Sequence, residues 1–295
     1  MSAVSADRIT LASECLALEL VPGVGGSVAR LDWIGGGPAV PLLRPMPAGG
    51  TRPGETAMFP LVPWSNRIDG GGFAYGGRFW AIAPNSSGDP RPIHGYGWLE
   101  PWTVEDRSGN HAVLLSRHDD TVFSYTAQLD YRLEGTDCLV TIAVRNTGEH
   151  AMPFGLGLHP WFPRKPKTRV YAPARGVWHE GPGHLPTVHG PIPPDWDFSA
   201  PRPLAPTWAD NGFTDWNGRA AVYQPEDGLA LAMTAEPLFG SYIFYTPTGA
   251  DTFCLEPVSH MIDAHNRAPD QLVGLAPGEA MSGAVRFTAL DLRGG

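Results

Sequence analysis

The pattern of hydrophobic and polar residues along the chain is dominated by alternation with a period of two. Over residues 121–133, Phe123 and Tyr125 begin a series of apolar positions that alternates with Ser124, Thr126 and further polar positions. Successive side chains of a strand point to opposite faces, so this pattern predicts a half-buried strand. The turn at 134–137 (Glu-Gly-Thr-Asp) and a second strand pattern at 138–145 extend the prediction to a hairpin.

Other strand patterns occur along most of the chain, whereas capped amphipathic helix patterns are scarce. The remaining predicted strands span 9–21, 27–34, 112–117, 220–223, 229–234, 242–245, 252–255 and 284–290. Many strands joined by turns predict an all-β protein, a large antiparallel β-sandwich or barrel with few short helices.

The Pro-rich stretch 163–206 is weakly patterned and permits two interpretations. It could link two domains, or it could be a long excursion that returns to the same sheet. Because polar motifs occur on both sides of it, we predict a single domain over residues 1–295.

Composition and charge narrow the range of partners. Charged residues make up only 17% of the 295 residues, and the formal net charge is −9. An acidic chain of this kind is poorly suited to nucleic acids or anionic membranes, which attract basic surfaces. The three cysteines are scattered without a CxxC motif, which favours a reducing compartment. With no leader pattern and no apolar run long enough to span a membrane, we expect a cytoplasmic protein.

An arginine and a histidine stand among turn-forming residues. Arg67 lies between a Pro-rich and a Gly-rich run, with Asn66 beside it. Its guanidinium offers five donors and keeps its charge, so a cleft there could bind hydroxyl groups, although a surface arginine would also fit. His94 is followed by Gly95, which would let the backbone approach a ligand closely, but a structural histidine is the alternative.

Two carboxylates and a second histidine complete the candidate set. Glu256 stands at the end of the predicted apolar strand, directly after residues 252–255. Desolvation there would raise the pKa of the carboxyl toward that of a useful base. His159 is followed by the aromatic Trp161, which could stack on a sugar ring or fill the core. Asp210 lies in an Asp-Asn-Gly sequence that could be only a turn or could accept hydroxyl donors. The spacings predict no metal site, phosphate loop or dinucleotide site.

The ordered set of motifs resembles the aldose 1-epimerase (mutarotase) family of the galactose mutarotase-like superfamily. The matching motifs are Pro-x-x-Asn-Arg-Ile and Phe-x-Tyr-x-Gly within 63–76, His-Gly at 94–95, Gly-Leu-His-Pro-Trp-Phe at 157–162, Asp-Asn-Gly-Phe at 210–213, Leu-Glu-Pro at 255–257, Asp-Ala-His-Asn at 263–266 and Leu-Ala-Pro-Gly at 275–278.

The resemblance implies a galactose mutarotase-like supersandwich that interconverts the anomers of a free aldose without a cofactor. It implies that Glu256 is the base and His159 the acid of ring opening and closure. Arg67 and His94 would orient hydroxyls near the ring oxygen and C1, and Asp210 would accept from hydroxyls further round the ring. At Trp161 the chain departs from the family, in which tyrosine is common.

Several alternatives remain open at this stage. A hexose-6-phosphate 1-epimerase would need cations near the sugar phosphate, and Arg67, Arg78 and Arg91 are candidates. A related sugar-lactone enzyme would use the same acid–base pair. A non-catalytic carbohydrate-binding or sensing protein would not require both Glu256 and His159. The expected partner is a small monosaccharide, with the chain either a monomer or a homodimer.

Overall fold

The computed structural model describes residues 8–293, which form mainly antiparallel strands. In chain order the strands are β1 (Ile9–Ala12), β2 (Leu16–Val21), β3 (Ser27–Trp33), β4 (Val40–Pro41), β5 (Met58–Leu61), β6 (Gly72–Tyr75), β7 (Arg78–Ala81), β8 (Thr103–Arg107), β9 (His111–Asp119), β10 (Ser124–Glu134), β11 (Asp137–Asn146), β12 (Met152–Phe154), β13 (Gly157–Pro163), β14 (Arg169–Tyr171), β15 (Gly176–Glu180), β16 (Pro186–Gly190), β17 (Arg202–Pro203), β18 (Ala209–Thr214), β19 (Arg219–Gln224), β20 (Leu229–Ala235), β21 (Ser241–Thr246), β22 (Thr252–Val258), β23 (Val273–Leu275) and β24 (Ala280–Asp291).

Helical structure in this part of the chain is brief. The α-helix α1 (Ala264–Arg267) is a single turn, and the 3-10 turns are Pro53–Glu55, Pro182–His184, Pro194–Trp196 and Pro269–Gln271. None of the helices within 8–293 has both the length and the apolar composition needed to cross a bilayer.

Two large sheets face each other across a shared hydrophobic core. The first has eleven strands in the order β1-β2-β3-β5-β13-β22-β21-β18-β15-β16, with β4 beside β3. The second has nine strands in the order β17-β14-β19-β20-β24-β11-β10-β9-β8. Leu18 and Val28 of the first sheet belong to the same buried cluster as Leu114 and Leu129 of the second. The predicted antiparallel β-sandwich with few short helices is therefore confirmed.

The second sheet follows the alternating pattern of the sequence. In β10 the residues from Tyr125 to Leu133 are buried at every second position, and the intervening ones are partly or fully exposed. β10 and β11 pair as the predicted hairpin, with Glu134 opposite Asp137 and Tyr131 opposite Val140. One face of these strands packs in the core and the other faces water, which is why the alternation is clear.

The central strands of the first sheet are buried on both faces. All seven residues of β22 are buried, including Glu256. Phe253 and Leu255 point into the shared core, so the intervening Cys254 and Glu256 lie on the outer face. Because that outer face is also inaccessible, loops must cover it. The candidate site lies under those loops.

Several predicted boundaries were wrong. The strand predicted over 9–21 is a hairpin of β1 and β2, because the Ser13 hydroxyl accepts the Leu16 N–H (3.1 Å) in a tight turn. Glu256 was predicted to end its strand but lies inside β22, which continues to Val258. Of the two interpretations left open for Asp210, a simple turn is excluded because the residue lies in β18. The Pro-rich stretch contributes β15 and β16 to the first sheet and β14 and β17 to the second. The single domain over 1–295 stays a prediction.

Candidate active site

Three polar residues of the outer face come from neighbouring or next-neighbouring strands of the first sheet. β13 and β22 are antiparallel, and their register pairs Trp161 with Cys254. The same register places His159 of β13 opposite Glu256 of β22. Between β22 and β18, Tyr245 of β21 pairs with Cys254 on one side and with Asp210 on the other. Cross-strand partners share a face, so the ladder itself brings these side chains together.

His159 and Glu256 form the centre of the site. The imidazole Nε2 lies 3.2 Å from the carboxyl Oε1, and both side chains are almost entirely buried. The imidazole stacks on Phe59, with ring centroids 4.3 Å apart. The second atoms of the pair, His159 Nδ1 and Glu256 Oε2, are buried without a hydrogen-bond partner. Both atoms therefore keep hydrogen-bonding capacity that a ligand in the cavity could use.

Burial controls the protonation of the pair. Desolvation lowers the pKa of His159 to about 3. Desolvation also raises the pKa of Glu256 well above its usual range, with the nearby Asp210 charge adding to the effect. Burial therefore favours a neutral imidazole beside a protonated carboxyl. This form holds the same single proton as an imidazolium beside a carboxylate, so moving one proton within the pair interconverts the two forms.

Arg67 connects the pocket to three acceptors. Its Nε donates to Asp89 Oδ2 (2.5 Å), and its Nη1 donates to Asn66 Oδ1 (3.1 Å) and Asp210 Oδ2 (3.4 Å). Burial raises the pKa of Asp210 to about 6, although the Arg67 charge opposes the rise. The long contact to Asp210 leaves that carboxyl with acceptor capacity directed at the cavity.

His94 is held on a loop that bonds reciprocally to the Arg67 loop. The Asn66 N–H donates to His94 Nδ1 (3.1 Å), and the His94 N–H donates to the Asn66 carbonyl (3.0 Å). Because Nδ1 accepts, the ring proton of neutral His94 resides on Nε2, which makes it a donor. Burial lowers the pKa of His94 well below its usual value, and the nearby His159 and Arg67 lower it further. His94 therefore remains a neutral hydrogen-bond donor.

The side-chain amide of Asn85 fixes the His94 loop from behind. Its Nδ2 donates to the carbonyls of Ile93 (2.9 Å) and Gly95 (2.7 Å), and its Oδ1 accepts the Ile93 N–H (2.8 Å). These three bonds hold the backbone on both sides of His94. The sequence analysis did not single out Asn85, since an isolated asparagine in a loop carries no pattern.

The motif at 263–266 supports the Arg67 loop instead of lining the cavity. Asp263 donates its N–H to the Arg67 carbonyl (3.0 Å), and its Oδ1 accepts the Asp69 N–H (2.9 Å). Asn266 in turn donates to Asp263 Oδ1 (2.8 Å). This part of the matching sequence therefore acts by positioning the backbone that carries Arg67.

The side chains enclose a cavity of about 230 Å³, which is smaller than the roughly 300 Å³ at which pockets for drug-sized ligands begin. It is lined by Asn66, Arg67, Ile93, His94, His159, His184, Trp208, Asp210, Tyr245 and Glu256. Six of the seven predicted site residues thus meet in one hollow. Trp161 is not part of the lining and packs behind His159, with ring centroids 5.4 Å apart.

The sequence analysis missed the outer wall of the cavity. There Glu180 accepts a hydrogen bond from the Trp208 indole (2.6 Å) and contacts His184. Trp208 could have been found, because it stands two residues before Asp210 and a strand period of two would place it on the same side. His184 lies at the tip of the β15–β16 hairpin, whose strands have no alternating pattern that would have predicted them.

Comparison with known proteins identifies relatives that match most of the chain. A family model described as aldose 1-epimerase matches residues 7–288. YphB of Escherichia coli K12, described as uncharacterized, is 37% identical over 249 residues, which cover 81% of this chain and 86% of YphB. YihR of the same strain, also described as uncharacterized, is 24% identical over 230 residues, which cover 72% of this chain and 73% of YihR.

Solved structures with the same fold match nearly the whole chain. A protein from Escherichia coli K12 proposed to be an aldose 1-epimerase matches with a TM-score of 0.91 and 34% identity, over 97% of this chain and 99% of that one. A galactose mutarotase-like protein from Clostridium acetobutylicum matches with a TM-score of 0.84 and 20% identity, over 96% and 95% of the two chains. The fold is thus that of the galactose mutarotase-like proteins. The chain belongs to the aldose 1-epimerase family, which confirms the resemblance found in the motifs.

Proposed function

We propose that the protein is an isomerase that interconverts the α and β anomers of a free, uncharged aldose. The observation that carries the proposal is the buried His159–Glu256 pair, with Nε2 and Oε1 3.2 Å apart at the base of a cavity of about 230 Å³. A monosaccharide suits a cavity of that size, and its hydroxyls suit the donors and acceptors that line it.

The proposed reaction begins once the single proton of the pair resides on His159. Glu256 takes the proton from the anomeric hydroxyl while the C1–ring oxygen bond breaks, and His159 gives its proton to the ring oxygen. The aldehyde rotates about C1–C2 and the ring recloses on the other carbonyl face with the two roles reversed. The net proton count is unchanged, so the cycle needs no proton from solvent.

The other polar residues would bind and orient the sugar. His94 Nε2 and the Arg67 guanidinium are donors for hydroxyls close to the reacting atoms. Asp210 is the acceptor for hydroxyls further round the ring, because the contacts of its Oδ2 to Arg67 Nη1 (3.4 Å) and His184 Nδ1 (3.9 Å) are long and leave the carboxyl with acceptor capacity. Fixing the ring against the acid–base pair supplies the proximity on which such a reaction depends.

The charges around the cavity favour an uncharged sugar over a phosphorylated one. Arg67 is engaged by Asp89 and Asp210. Arg91 is engaged by Asp69 and by Asp89, and Arg78 lies over the Trp80 ring. Each of the three arginines predicted for a sugar phosphate therefore already has a partner. A phosphate dianion beside the Asp210 carboxyl, which lines the cavity, would also be repelled. A binding protein without turnover would not need an acid–base pair in contact.

Anomer exchange measured by NMR tests the proposal directly. Galactose, glucose, xylose and arabinose are each mixed with the protein, and glucose 6-phosphate serves as the charged comparison. We expect acceleration over buffer for at least one neutral sugar and weaker acceleration for the phosphate. Calorimetric binding of these sugars with no acceleration of exchange would refute catalysis and revive a sensing role.

A further inference from the structure

A thiol lies beside the acid–base pair and has no place in the proposed reaction. Cys254 precedes Glu256 by two residues on the same face of β22 and is fully buried. One ligand atom from each of Cys254, His159 and Glu256 lies within 4.8 Å of the others. The cluster therefore offers sulfur, nitrogen and oxygen around one point, although the cysteine itself does not line the cavity.

The cluster contains buried polar atoms that the protein leaves unpaired. His159 Nδ1 and Glu256 Oε2 have no hydrogen-bond partner. When ionised, the Cys254 thiolate and the Glu256 carboxylate carry two negative charges, which a divalent cation would neutralise. Sulfur and imidazole ligands select zinc, cadmium and similar ions over magnesium or calcium. Three protein ligands beside an accessible cavity also match a site that keeps its fourth position for water.

We propose that Cys254, His159 and Glu256 form a binding site for a thiophilic divalent cation, of which Zn²⁺ and Cd²⁺ are examples. The ion enters through the cavity, which both His159 and Glu256 line. Its binding releases the thiol proton and the carboxyl proton to solvent, and the neutral imidazole donates a lone pair. Because the ion occupies both reacting groups, it blocks the proposed anomer exchange reversibly.

Cadmium titration of the full chain tests the site without relying on turnover. Cadmium bound to a thiolate adds a charge-transfer band in the ultraviolet. One equivalent added to the wild type should therefore produce this band in the difference spectrum between the loaded and the metal-free protein. We expect Cys254→Ser and Cys254→Ala to lose this band, and Cys15→Ser, which changes a cysteine elsewhere in the chain, to retain it. His159→Asn should weaken binding by about tenfold or more, as expected for the loss of a ligand.

Inhibition of anomer exchange supplies the second readout. A zinc concentration that slows anomer exchange by the wild type about tenfold should slow exchange by Cys254→Ser much less. Each protein is compared with its own rate in the absence of metal. Adding a chelator should restore the turnover of the wild type. A band that survives in both Cys254 variants, or equal inhibition of wild type and Cys254→Ser, would overturn the proposal. The absorption band does not depend on catalysis, so failure of the proposed function would be recognised separately.

Discussion

At the scale of single residues, the site depends on what burial does to one shared proton. Isolated in water, a carboxyl and an imidazole would both change charge between pH 4 and 7, as ordinary pKa values of about 4.3 and 6.5 imply. Here desolvation moves the pKa of Glu256 up and that of His159 down. The pair therefore keeps one proton over a wide range of pH. A group that must both take and give a proton in each cycle benefits from that constancy.

Replacing the proposed base isolates its contribution. Glu256→Gln preserves size and hydrogen bonding but cannot accept the anomeric proton, so we expect kcat to fall about 10²–10⁴-fold. The change also removes a buried ionisable group, so the variant should fold at least as well as the wild type. NMR anomer exchange gives the rate and thermal unfolding checks the fold. Turnover close to wild type would remove Glu256 from the mechanism.

The contribution of the planar guanidinium of Arg67 to substrate binding can be tested by a substitution that keeps the positive charge. A lysine in this position offers one ammonium point in place of the planar donors that now reach Asp89, Asn66 and Asp210. We expect Arg67→Lys to raise KM by about tenfold or more, the cost of a lost charged hydrogen bond, with a smaller change in kcat. The matched control is Arg107→Lys on an exposed strand. An unchanged KM would show that Arg67 does not bind substrate.

At the scale of elements, the site is made by two loops that close over a sheet face. The His94 loop approaches the strand-end backbone at Val62 so closely that Gly95 forms a bridge with it. Gly95 has a φ of +70°, and a Cβ on it would lie 2.1 Å from the Val62 carbonyl oxygen. Only glycine satisfies both requirements without moving the loop.

This close approach makes Gly95→Ala a sharp test of the loop. The added methyl must push the His94 loop off the sheet, so we expect a loss of about 1–3 kcal/mol of stability and roughly a tenfold fall in kcat/KM. Gly54→Ala is the control, since a Cβ there meets nothing within 4 Å. Thermal unfolding and anomer exchange measure the two effects. Equal behaviour of the two variants would mean that the loop position is irrelevant to the site.

The contrast between predicted and missed elements has a physical reason. The β10–β11 hairpin could be predicted because one face meets core and the other water. β13 and β18 were not predicted because both faces of each strand are buried, so the sequence does not alternate. Polar residues on their outer faces, His159 in β13 and Asp210 in β18, also interrupt the apolar run that would indicate a buried strand. The ordered motifs identified most of the pocket residues. His184 could not be found, because its place depends on a hairpin with no local pattern.

At the scale of the whole molecule, buried histidines couple stability to pH. Desolvation lowers the pKa of His260 to about 4 and that of His265 to about 3. The unfolded chain binds these protons near pH 6.5, whereas the folded chain resists them, so stability is present above that value and is lost as pH falls. The raised pKa of Asp210 acts in the opposite sense, whereas the lowered pKa of buried His94 adds to the loss of stability in acid. The buried histidines with lowered pKa values outnumber Asp210, the carboxyl whose raised pKa opposes them. Lowering the pH should therefore reduce the free energy of unfolding.

His260 allows the acid effect to be assigned to one residue. Its Nε2 accepts the Ser65 N–H (3.1 Å) and its Nδ1 donates to the Met261 carbonyl (2.8 Å), so protonation would break the first bond. Between pH 6.5 and about 4, His260→Gln should reduce the dependence of the unfolding free energy on pH by up to about 1.4 kcal/mol per pH unit, the equivalent of one proton. The matched control is His150→Gln, which makes the same change at an exposed position. Urea unfolding at several pH values measures the slopes. Equal slopes for the two variants would mean that the acid sensitivity originates in other groups, because the bond that His260 accepts from Ser65 would then not oppose protonation.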